Sequence, residues 1–379
     1  MRTNLYSNIS IANLTPNRFD LKTRKGNQTT AIDMKPGTNP NTMPSPSQAK
    51  KTPLPEYVPP SKGPLSLLPA TWVPYAQLMR IEKPAGYFAF YFPHIAGLLL
   101  AQSHAANVSF PRPSLEQRLV PHLYILSGCL FLRGAACTWN DFLDAPYDRQ
   151  VARCRLRPIA RNAVSRPAAL VFMAVQTVLG VLTTLAPLPQ AARAPVALLS
   201  ATQIVYPLCK RFTDYPQLWL GASFAFGVGV GAGAGGVDLL EMCGRLDALA
   251  DSETRILCTL SCLYFFVVLN TLIYDTIYGH QDLKDDLKAR VKSLAVAWRN
   301  NTKRNCAVLA VIEIALLVAT SILGNLTTGF DILAIGGTTL VLSKMLYSVK
   351  LEDPESCMSC SKWLIWGTGA TLSLGLLSS

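Results

Sequence analysis

The sequence predicts an all-α, multi-pass membrane protein. Half of the 379 residues are hydrophobic, only 15% are charged, and the mean hydropathy is +0.26. A soluble chain of this length needs more polar surface than such a composition supplies. The apolar residues also fall into charge-free runs of about twenty residues, the length that a helix needs to cross the hydrocarbon layer of a membrane.

Nine such runs predict about nine transmembrane helices. They lie near residues 85–104, 119–141, 167–187, 191–209, 216–237, 255–277, 304–325, 330–348 and 361–379. The second and the sixth runs end in acidic residues, and four spans separate these two ends. The acidic helix end thus recurs after an interval of four spans.

Basic residues are concentrated in alternate loops, which predicts the orientation of the chain. The basic loops contain Arg149, Arg153, Arg155, Arg157, Arg161 and Arg166 after span two, Lys210 and Arg211 after span four, and Lys284, Lys288, Arg290, Lys292, Arg299, Lys303 and Arg304 after span six. The positive-inside rule places this face, and the acidic helix ends beside it, in the cytosol or on the equivalent side of an organelle. This distribution accounts for the net charge of +12 without a nucleic-acid partner.

Residues 1–70 are predicted to form a disordered basic tail before a membrane domain at 71–379. The first 62 residues are rich in Asn, Thr, Pro, Ser and Lys, carry nine basic against three acidic side chains, and lack apolar periodicity. Such a composition does not bury enough apolar surface to fold. A cytosolic tail and an endomembrane location (endoplasmic reticulum or Golgi) are the interpretation we favour. A mitochondrial presequence and the mitochondrial inner membrane are the alternative.

Two aspartate-rich stretches lie where spans two and six end and basic loops begin. The first contains Asn140, Asp141, Asp144 and Asp148, and the second contains Asp275, Tyr278, Asp282, Asp285 and Asp286. Steps of three and four residues place each set on one helical face. Pro146 is expected to kink or end the second helix, leaving Asp148 on the following loop. Carboxylates beside hydrocarbon are costly unless a cation, a metal or a proton path compensates them.

These acidic faces and basic loops favour a site for Mg²⁺ and a diphosphate. Mg²⁺ takes one or two protein carboxylates and fills its other positions with water and phosphate oxygens. The candidate catalytic residues are Asp141, Asp144, Asp148, Asp282 and Asp286; Asn140 and Asp275 join them as candidate metal ligands; and Arg153, Arg157, Lys210, Arg211 and Lys292 are candidate diphosphate-binding residues. The alternative is a solvated charged cap, which we favour only for the arginines after Arg157.

Four motifs, taken in their order along the chain, resemble those of the UbiA superfamily of intramembrane aromatic prenyltransferases. The first stretch and the segment 153–160 resemble NDxxDxxxD followed by RxxxRPIA, and residues 275–293 resemble DxxYxxQDxxDDxxxxVKS. Residues 206–221 resemble YPxxKRxT…PQxxLG, and residues 80–86 resemble the approach to the first helix. The resemblance covers the chain from about residue 72 to the C-terminus, although Arg290 replaces a glycine that many members have. The Asp-Ala-Pro-Tyr-Asp form of the first motif resembles fungal secondary-metabolite members.

The resemblance implies two pseudo-repeated four-helix bundles around a central cavity, with one aspartate motif in each half. It also implies Mg²⁺-dependent transfer of a prenyl chain, with farnesyl diphosphate favoured as donor, to a ring carbon of a phenolic, polyketide-type acceptor in meroterpenoid biosynthesis. Arg80 and Tyr278 are the candidate acceptor-binding residues, and the alternative for Arg80 is an interfacial arginine whose charged end reaches the membrane surface. Membrane lipid surrounds the protein. The alternatives are the 4-hydroxybenzoate polyprenyl step of ubiquinone synthesis and a membrane terpene cyclase that uses the same aspartates. A transporter would instead place carboxylates near the bilayer midplane.

Two further charges fall inside predicted spans. Arg133 lies one to two turns before the first aspartates and is expected to meet a carboxylate or helix carbonyl groups. Glu313 lies in span seven, and Lys344 in span eight is its expected partner. A charge inside the membrane without a partner costs free energy, so both Arg133 and Glu313 are expected to have compensating groups.

Overall fold

The structure, a computed structural model, describes residues 56–108, 114–289 and 291–379, and within these ranges it contains helices and no strands. The long helices are α1 (Pro84–Val108), α2 (Leu115–Asp148), α3 (Arg166–Thr184), α4 (Arg193–Cys209), α5 (Pro216–Ala234), α6 (Asp251–Gly279), α7 (Thr302–Gly324), α8 (Thr328–Ser348, with a π-helical stretch at Asp331–Gly336) and α9 (Pro354–Leu377). Short helices lie at Val73–Leu78, Leu239–Gly244, Leu283–Ala289 and Leu294–Trp298. The all-α prediction is confirmed.

Every predicted span coincides with one of these helices. In the described ranges seven of them, α1, α2, α3, α5, α6, α7 and α8, are long and apolar enough to cross a membrane. Helix α4 has 17 residues, and α9, although it has 24, is not among the seven. The chain is therefore an integral membrane protein, and the count of nine spans remains a prediction.

The predicted N-terminal tail is only partly described. Residues 1–55 lie outside the described ranges. Within residues 56–70, Pro64–Leu67 form a short 3-10 helix, and the ring of Tyr57 lies 3.7 Å from the guanidinium of Arg161.

Helix α2 continues through Pro146, so the expected end of the helix at this proline is wrong. Pro146 lies inside the helix, and Arg149 N still donates to Ala145 O at 3.3 Å. The proline removes one backbone hydrogen bond. Two hydrogen bonds from Arg157 to the Asp148 carboxylate, of 2.9 and 3.1 Å, stabilise the last turn. Asp148 consequently lies at the buried helix end and not on the loop.

The centre of the bundle is built on close contacts of α5 with α1, α4 and α6. Helix α5 contains a run of glycine, alanine and valine, which lets neighbouring backbones approach. Gly231 packs against the backbone of α1, where a Cβ atom would overlap the carbonyl oxygen of His94. Helix α2 packs on α3, α6 packs on α7, and α9 packs on α1 and α6. Small residues on α5 thus bring the two halves of the chain together.

Replacing Gly231 with alanine is expected to destabilise the protein by about 1–3 kcal/mol, because the added methyl group forces α1 and α5 apart. Gly244 is the matched control, since a Cβ atom there meets nothing within 4 Å. Thermal unfolding in detergent should show a lower Tm for Gly231→Ala than for Gly244→Ala. Equal melting temperatures would contradict the close contact between these helices.

The buried charges find partners that the sequence only partly predicts. Arg133 donates to two backbone carbonyl groups, to Gly86 O at 2.8 Å and to Met79 O at 3.2 Å. Of its two expected kinds of partner, a carboxylate or carbonyl groups, the structure shows the carbonyl groups. Glu313 accepts from Asn270 Nδ2 at 2.7 Å, whereas Lys344 lies 4.1 Å from the ring of Trp363. The expected Glu313–Lys344 pair is therefore wrong. Glu313 is fully buried whereas Lys344 is exposed, and linear spacing does not reveal that difference.

Candidate active site

The ends of α2, α4 and α6 converge on one cavity of about 330 Å³. Among the predicted site residues, its lining contains Asn140, Asp144, Asp148, Arg153, Arg157, Lys210, Arg211, Asp275, Tyr278, Asp282, Asp286 and Lys292. The two aspartate stretches, more than 120 residues apart in the chain, thus face each other across a single space. Of the predicted site residues, only Arg80 and Asp141 lie outside the lining.

The first aspartate stretch is held by cations from two different loops. Lys210, directly after α4, donates from Nζ to Asp144 Oδ2 at 2.7 Å. Arg157 Nη1 donates to both oxygens of Asp148. Burial alone would lower the pKa of Lys210, but the Asp144 carboxylate more than offsets burial and raises that pKa above its usual range. Lys210 therefore stays charged over the physiological pH range.

The second aspartate stretch is tied to the loop that follows α2. Arg153 makes a two-pronged contact with Asp282, from Nε to Oδ1 at 3.0 Å and from Nη2 to Oδ2 at 2.5 Å. Its Nη1 also donates to the Tyr278 hydroxyl at 3.1 Å. The Ala152 amide donates to Asp285 Oδ2 at 3.3 Å. These contacts join the two halves of the chain at the rim of the cavity.

Asp141 lies behind the cavity wall, although it was predicted as a catalytic and metal-binding residue. Its side chain is 1% exposed. Its Oδ1 accepts from Arg80 at 2.5 Å and from Arg157 at 3.2 Å, and within the described ranges its Oδ2 has no hydrogen-bond partner. Arg80 reaches it from a backbone with a positive φ of 58°. In this arrangement Asp141 positions two cations, and Arg80, the predicted acceptor-binding residue, is committed to an ion pair.

Two carboxylates in the cavity lining are not paired with a cation. Among the described residues, Asp275 and Asp286 have no ion pair within 4 Å. The described part of the chain contains no group of three or more His, Cys, Asp or Glu side chains close enough to hold a metal ion by themselves. Asp275, Asp286 and the nearby amide of Asn140 offer the hard oxygen ligands that Mg²⁺ prefers, and their donor type fits that ion.

Arg211 and Lys292 line the cavity with weakly engaged charges. Arg211 Nη2 donates to Leu143 O and Lys292 Nζ donates to Phe212 O, both at 3.4 Å. Such long bonds to neutral carbonyl groups hold these cations loosely. As far as the described residues show, they are therefore the cations of the lining whose charge is available to an anionic ligand without breaking an ion pair.

Several lining residues were not among the predicted site residues: Tyr147, Val151, Cys154, Tyr206, Pro207, Pro216, Gln217, Gly279, Val291 and Ser293. Gln217 is the most informative. Its side chain is buried and accepts from Leu294 N at 3.0 Å, so it fixes the start of α5 to the segment that carries Lys292. Its signal was present, because Pro216-Gln217 belongs to the third motif. His280, inside the second motif, is buried against the Thr302 hydroxyl at 2.9 Å.

A family model decides the identity of this arrangement. Residues 90–366, more than half of the chain, match the model of the UbiA prenyltransferase family. The chain belongs to the UbiA prenyltransferase family. It is accordingly a membrane-embedded prenyltransferase, and the cavity between its two aspartate stretches is the candidate active site of a UbiA enzyme.

The relatives of this UbiA chain match it over most of its length. Prenyltransferase stbC of Stachybotrys bisbyi is 33% identical over 301 residues, which is 79% of this chain and 85% of the relative. DMOA farnesyltransferase nvfB of Aspergillus novofumigatus is 32% identical, over 72% of this chain and 80% of its own. The mitochondrial 4-hydroxybenzoate polyprenyltransferase of Saccharomyces cerevisiae is 38% identical, over 77% and 73%.

Solved structures share the fold of this UbiA chain. A UbiA homolog from Aeropyrum pernix K1 aligns with a TM-score of 0.59 and 20% identity, covering 77% of this chain and 96% of that one. A UbiA homolog from Archaeoglobus fulgidus bound to GPP and Mg²⁺ aligns with a TM-score of 0.56 and 16% identity, covering 79% and 99%. At these identities the likeness establishes the UbiA fold alone.

Proposed function

We propose that this UbiA enzyme transfers a farnesyl chain from farnesyl diphosphate to a ring carbon of a phenolic, polyketide-type acceptor in meroterpenoid biosynthesis. The observation that carries the proposal is the cavity whose lining combines carboxylates of both aspartate stretches with Arg153, Arg157, Lys210, Arg211 and Lys292. A diphosphate needs cations around its oxygens, and carboxylates in the same space suit a bridging divalent ion.

The cations of the cavity lining would bind and orient the diphosphate. Arg211 and Lys292 offer charge without breaking an ion pair, whereas Arg153 and Lys210 exchange Asp282 and Asp144 for phosphate oxygens. Asp275 and Asp286 would hold a divalent metal ion, for which we propose Mg²⁺. When bound, this ion supplies charge neutralisation to the departing diphosphate.

The transfer reaction needs no reagent besides the donor, the acceptor and water. The allylic C–O bond breaks and its electron pair leaves with the diphosphate. The allylic cation accepts an electron pair from a ring carbon ortho to the phenol, a C–C bond forms, and that ring carbon releases its proton to water at the open side of the cavity. Tyr278, whose hydroxyl accepts from Arg153, would contact the acceptor beside the leaving group. The apolar helix interior excludes water from the cation, which would otherwise become an alcohol.

Relatives support both the donor and the main alternative. The name of the Aspergillus novofumigatus relative states farnesyl transfer, which favours farnesyl diphosphate as donor. The Saccharomyces cerevisiae relative, at 38% identity, favours the alternative function, polyprenyl transfer to 4-hydroxybenzoate. We propose an endomembrane location with the cavity facing the cytosol for the first function, and the mitochondrial inner membrane for the second.

An acceptor panel separates these functions. Membranes containing the protein are incubated with Mg²⁺, farnesyl diphosphate and a set of phenolic acids, and products are analysed by mass. We expect an adduct with a polyketide-type phenol, and none after addition of EDTA. An adduct with 4-hydroxybenzoate alone would contradict the proposed function and support the alternative one. Release of diphosphate without any acceptor would indicate cyclisation and contradict the proposal.

Metal and diphosphate are expected to bind cooperatively. The diphosphate alone would separate Lys210 from Asp144 and Arg153 from Asp282 and leave both carboxylates without a partner, whereas a metal ion held beside it by Asp275 and Asp286 compensates this negative charge. Calorimetry with inorganic pyrophosphate should therefore show an affinity about 10-fold higher with Mg²⁺ than without it.

An Asp275→Asn/Asp286→Asn variant is the control for this cooperativity. It should lose the effect of Mg²⁺, while the complex that Mg²⁺ forms with pyrophosphate in solution is the same for both proteins. Equal enhancement in the variant would show that the metal does not use these carboxylates.

A further inference from the structure

A second basic cavity lies on the other side of the loop that follows α2. It has a volume of about 370 Å³ and is lined by Glu56, Tyr57, Arg149, Arg155, Leu156, Ala160 and Arg161. None of these residues lines the candidate active site. The arginines of the loop therefore divide into two sets: Arg153 and Arg157 face the active site, and Arg149, Arg155 and Arg161 face the second cavity.

Two guanidinium groups of this cavity are held in place by neutral partners. Arg161 donates to Leu156 O at 2.5 Å and to Gln77 Oε1 at 2.9 Å, and the Tyr57 ring lies over it. Arg149 donates to Ala160 O and to Asn162 Oδ1, both at 3.1 Å. Carbonyl and amide oxygens orient a guanidinium but do not neutralise it. Both arginines are thus positioned, and among the described residues no carboxylate compensates their charge.

Arg155 is the third cation of this cavity, and its side chain has fewer partners than those of Arg149 and Arg161. Within the described ranges its guanidinium makes no hydrogen bond and no ion pair. One carboxylate, that of Glu56, lies in the lining, and it forms no ion pair within 4 Å among the described residues. Three guanidinium groups therefore surround one space with a single acidic side chain to balance them. The neighbouring Arg153 and Arg157 each pair with carboxylates.

We propose that Arg149, Arg155 and Arg161 form a second anion-binding site that accepts a phosphate group. Planar guanidinium forks bind phosphate oxygens in pairs, and convergent arginines are the usual protein solution for that group. Arg149 follows directly on the end of α2, and α3 begins at Arg166, so the site lies between two membrane helix ends. At that level the phosphate of an anionic phospholipid headgroup is within reach, and a free phosphate ion offers the same chemistry.

The test compares lipid retention by the full-length protein and two variants. Arg155→Gln removes a guanidinium that makes no hydrogen bond or ion pair with the described residues, so the fold should persist. Arg304→Gln is the matched control, an exposed arginine at the start of α7 on the same predicted face. Native mass spectrometry after reconstitution with phosphatidylglycerol or phosphatidylcholine measures bound lipid. A titration with inorganic phosphate in detergent, followed by thermal stability, measures the free ion.

We expect Arg155→Gln to retain about 10-fold less phosphatidylglycerol than the unmodified protein and Arg304→Gln, with phosphatidylcholine unchanged, because one charge-assisted contact is lost. A loss restricted to inorganic phosphate would support the site with the free ion as its ligand. Equal retention of both anions by all three proteins would overturn the site. Equal loss in both variants would also overturn it, since it would indicate general surface charge. Prenyl transfer is measured separately, so failure here leaves the proposed function untouched.

Discussion

Replacing Asp144 or Asp282 with alanine is expected to abolish prenyl transfer while the protein remains inserted in the membrane. Both carboxylates line the cavity, one from each half of the chain, and each holds a cation that we assign to the diphosphate. Without them Lys210 and Arg153 lose their positioning partners, and the site loses oxygen ligands. We expect turnover to fall by about 100-fold or more, since even supporting residues of metal sites cost 10–100-fold. Radiolabelled product in washed membranes measures the loss.

Asp214→Ala is the matched control for these substitutions. Asp214 is exposed and lies four residues after Lys210, but its side chain is not part of the cavity lining. Its replacement should leave turnover close to that of the unmodified enzyme, with the same amount of protein in the membrane fraction. Retention of more than a few per cent of activity by both Asp144→Ala and Asp282→Ala would count against metal–diphosphate chemistry at this cavity.

The sequence predicts the helices and the composition of the cavity lining well, because both depend on local patterns. Runs of apolar residues match the positions of α1 to α9, since hydrocarbon thickness sets the length of each run. Steps of three and four residues place Asp144 and Asp148 on one face, and Asp275 and Asp282 on another. A carboxylate at a helix end needs compensation nearby, which is why basic residues of the adjoining loops line the same cavity.

The choice of partner within the site does not follow from spacing. Asp141 belongs to the same stretch as Asp144, yet it points behind the wall toward Arg80 and Arg157. Its direction depends on how the segment before α1 packs on α2, a contact between residues about sixty positions apart. The continuation of α2 through Pro146 has a similar origin, because Arg157 from the following loop stabilises a turn that a proline would otherwise disfavour.

Gln217 shows a third kind of difference between sequence and structure. A buried glutamine in the lining of the candidate active site carries no charge, so in the sequence it is marked only by its place in the third motif. Its role becomes visible when its Oε1 is seen to accept from Leu294 N and so to position the segment of Lys292. The contacts by which neutral residues hold charged segments are therefore the part of the site that only the fold reveals.

Arg157 is expected to be the most important single residue for the integrity of the first aspartate stretch. Its Nη1 donates to Asp141 and to Asp148, and all three side chains are largely buried. Removing one member of a buried ion pair leaves the other charge without compensation, which costs about 3–5 kcal/mol. Arg157→Ala should therefore lower the Tm in detergent and abolish transfer. Arg157→Lys should recover part of the stability, because it restores the charge without the planar fork.

Arg155→Ala separates this effect from a general loss of positive charge. The two arginines are two residues apart on the same loop, but only Arg157 holds carboxylates of the described chain. We expect Arg155→Ala to change the free energy of unfolding by no more than about 0.5 kcal/mol, the usual range for a side chain without such contacts, and so to leave the Tm nearly unchanged. If both alanine variants lowered the Tm equally, the loop charge as a whole would stabilise the protein, and the Asp141–Arg157–Asp148 arrangement would not be what holds the end of α2 in place.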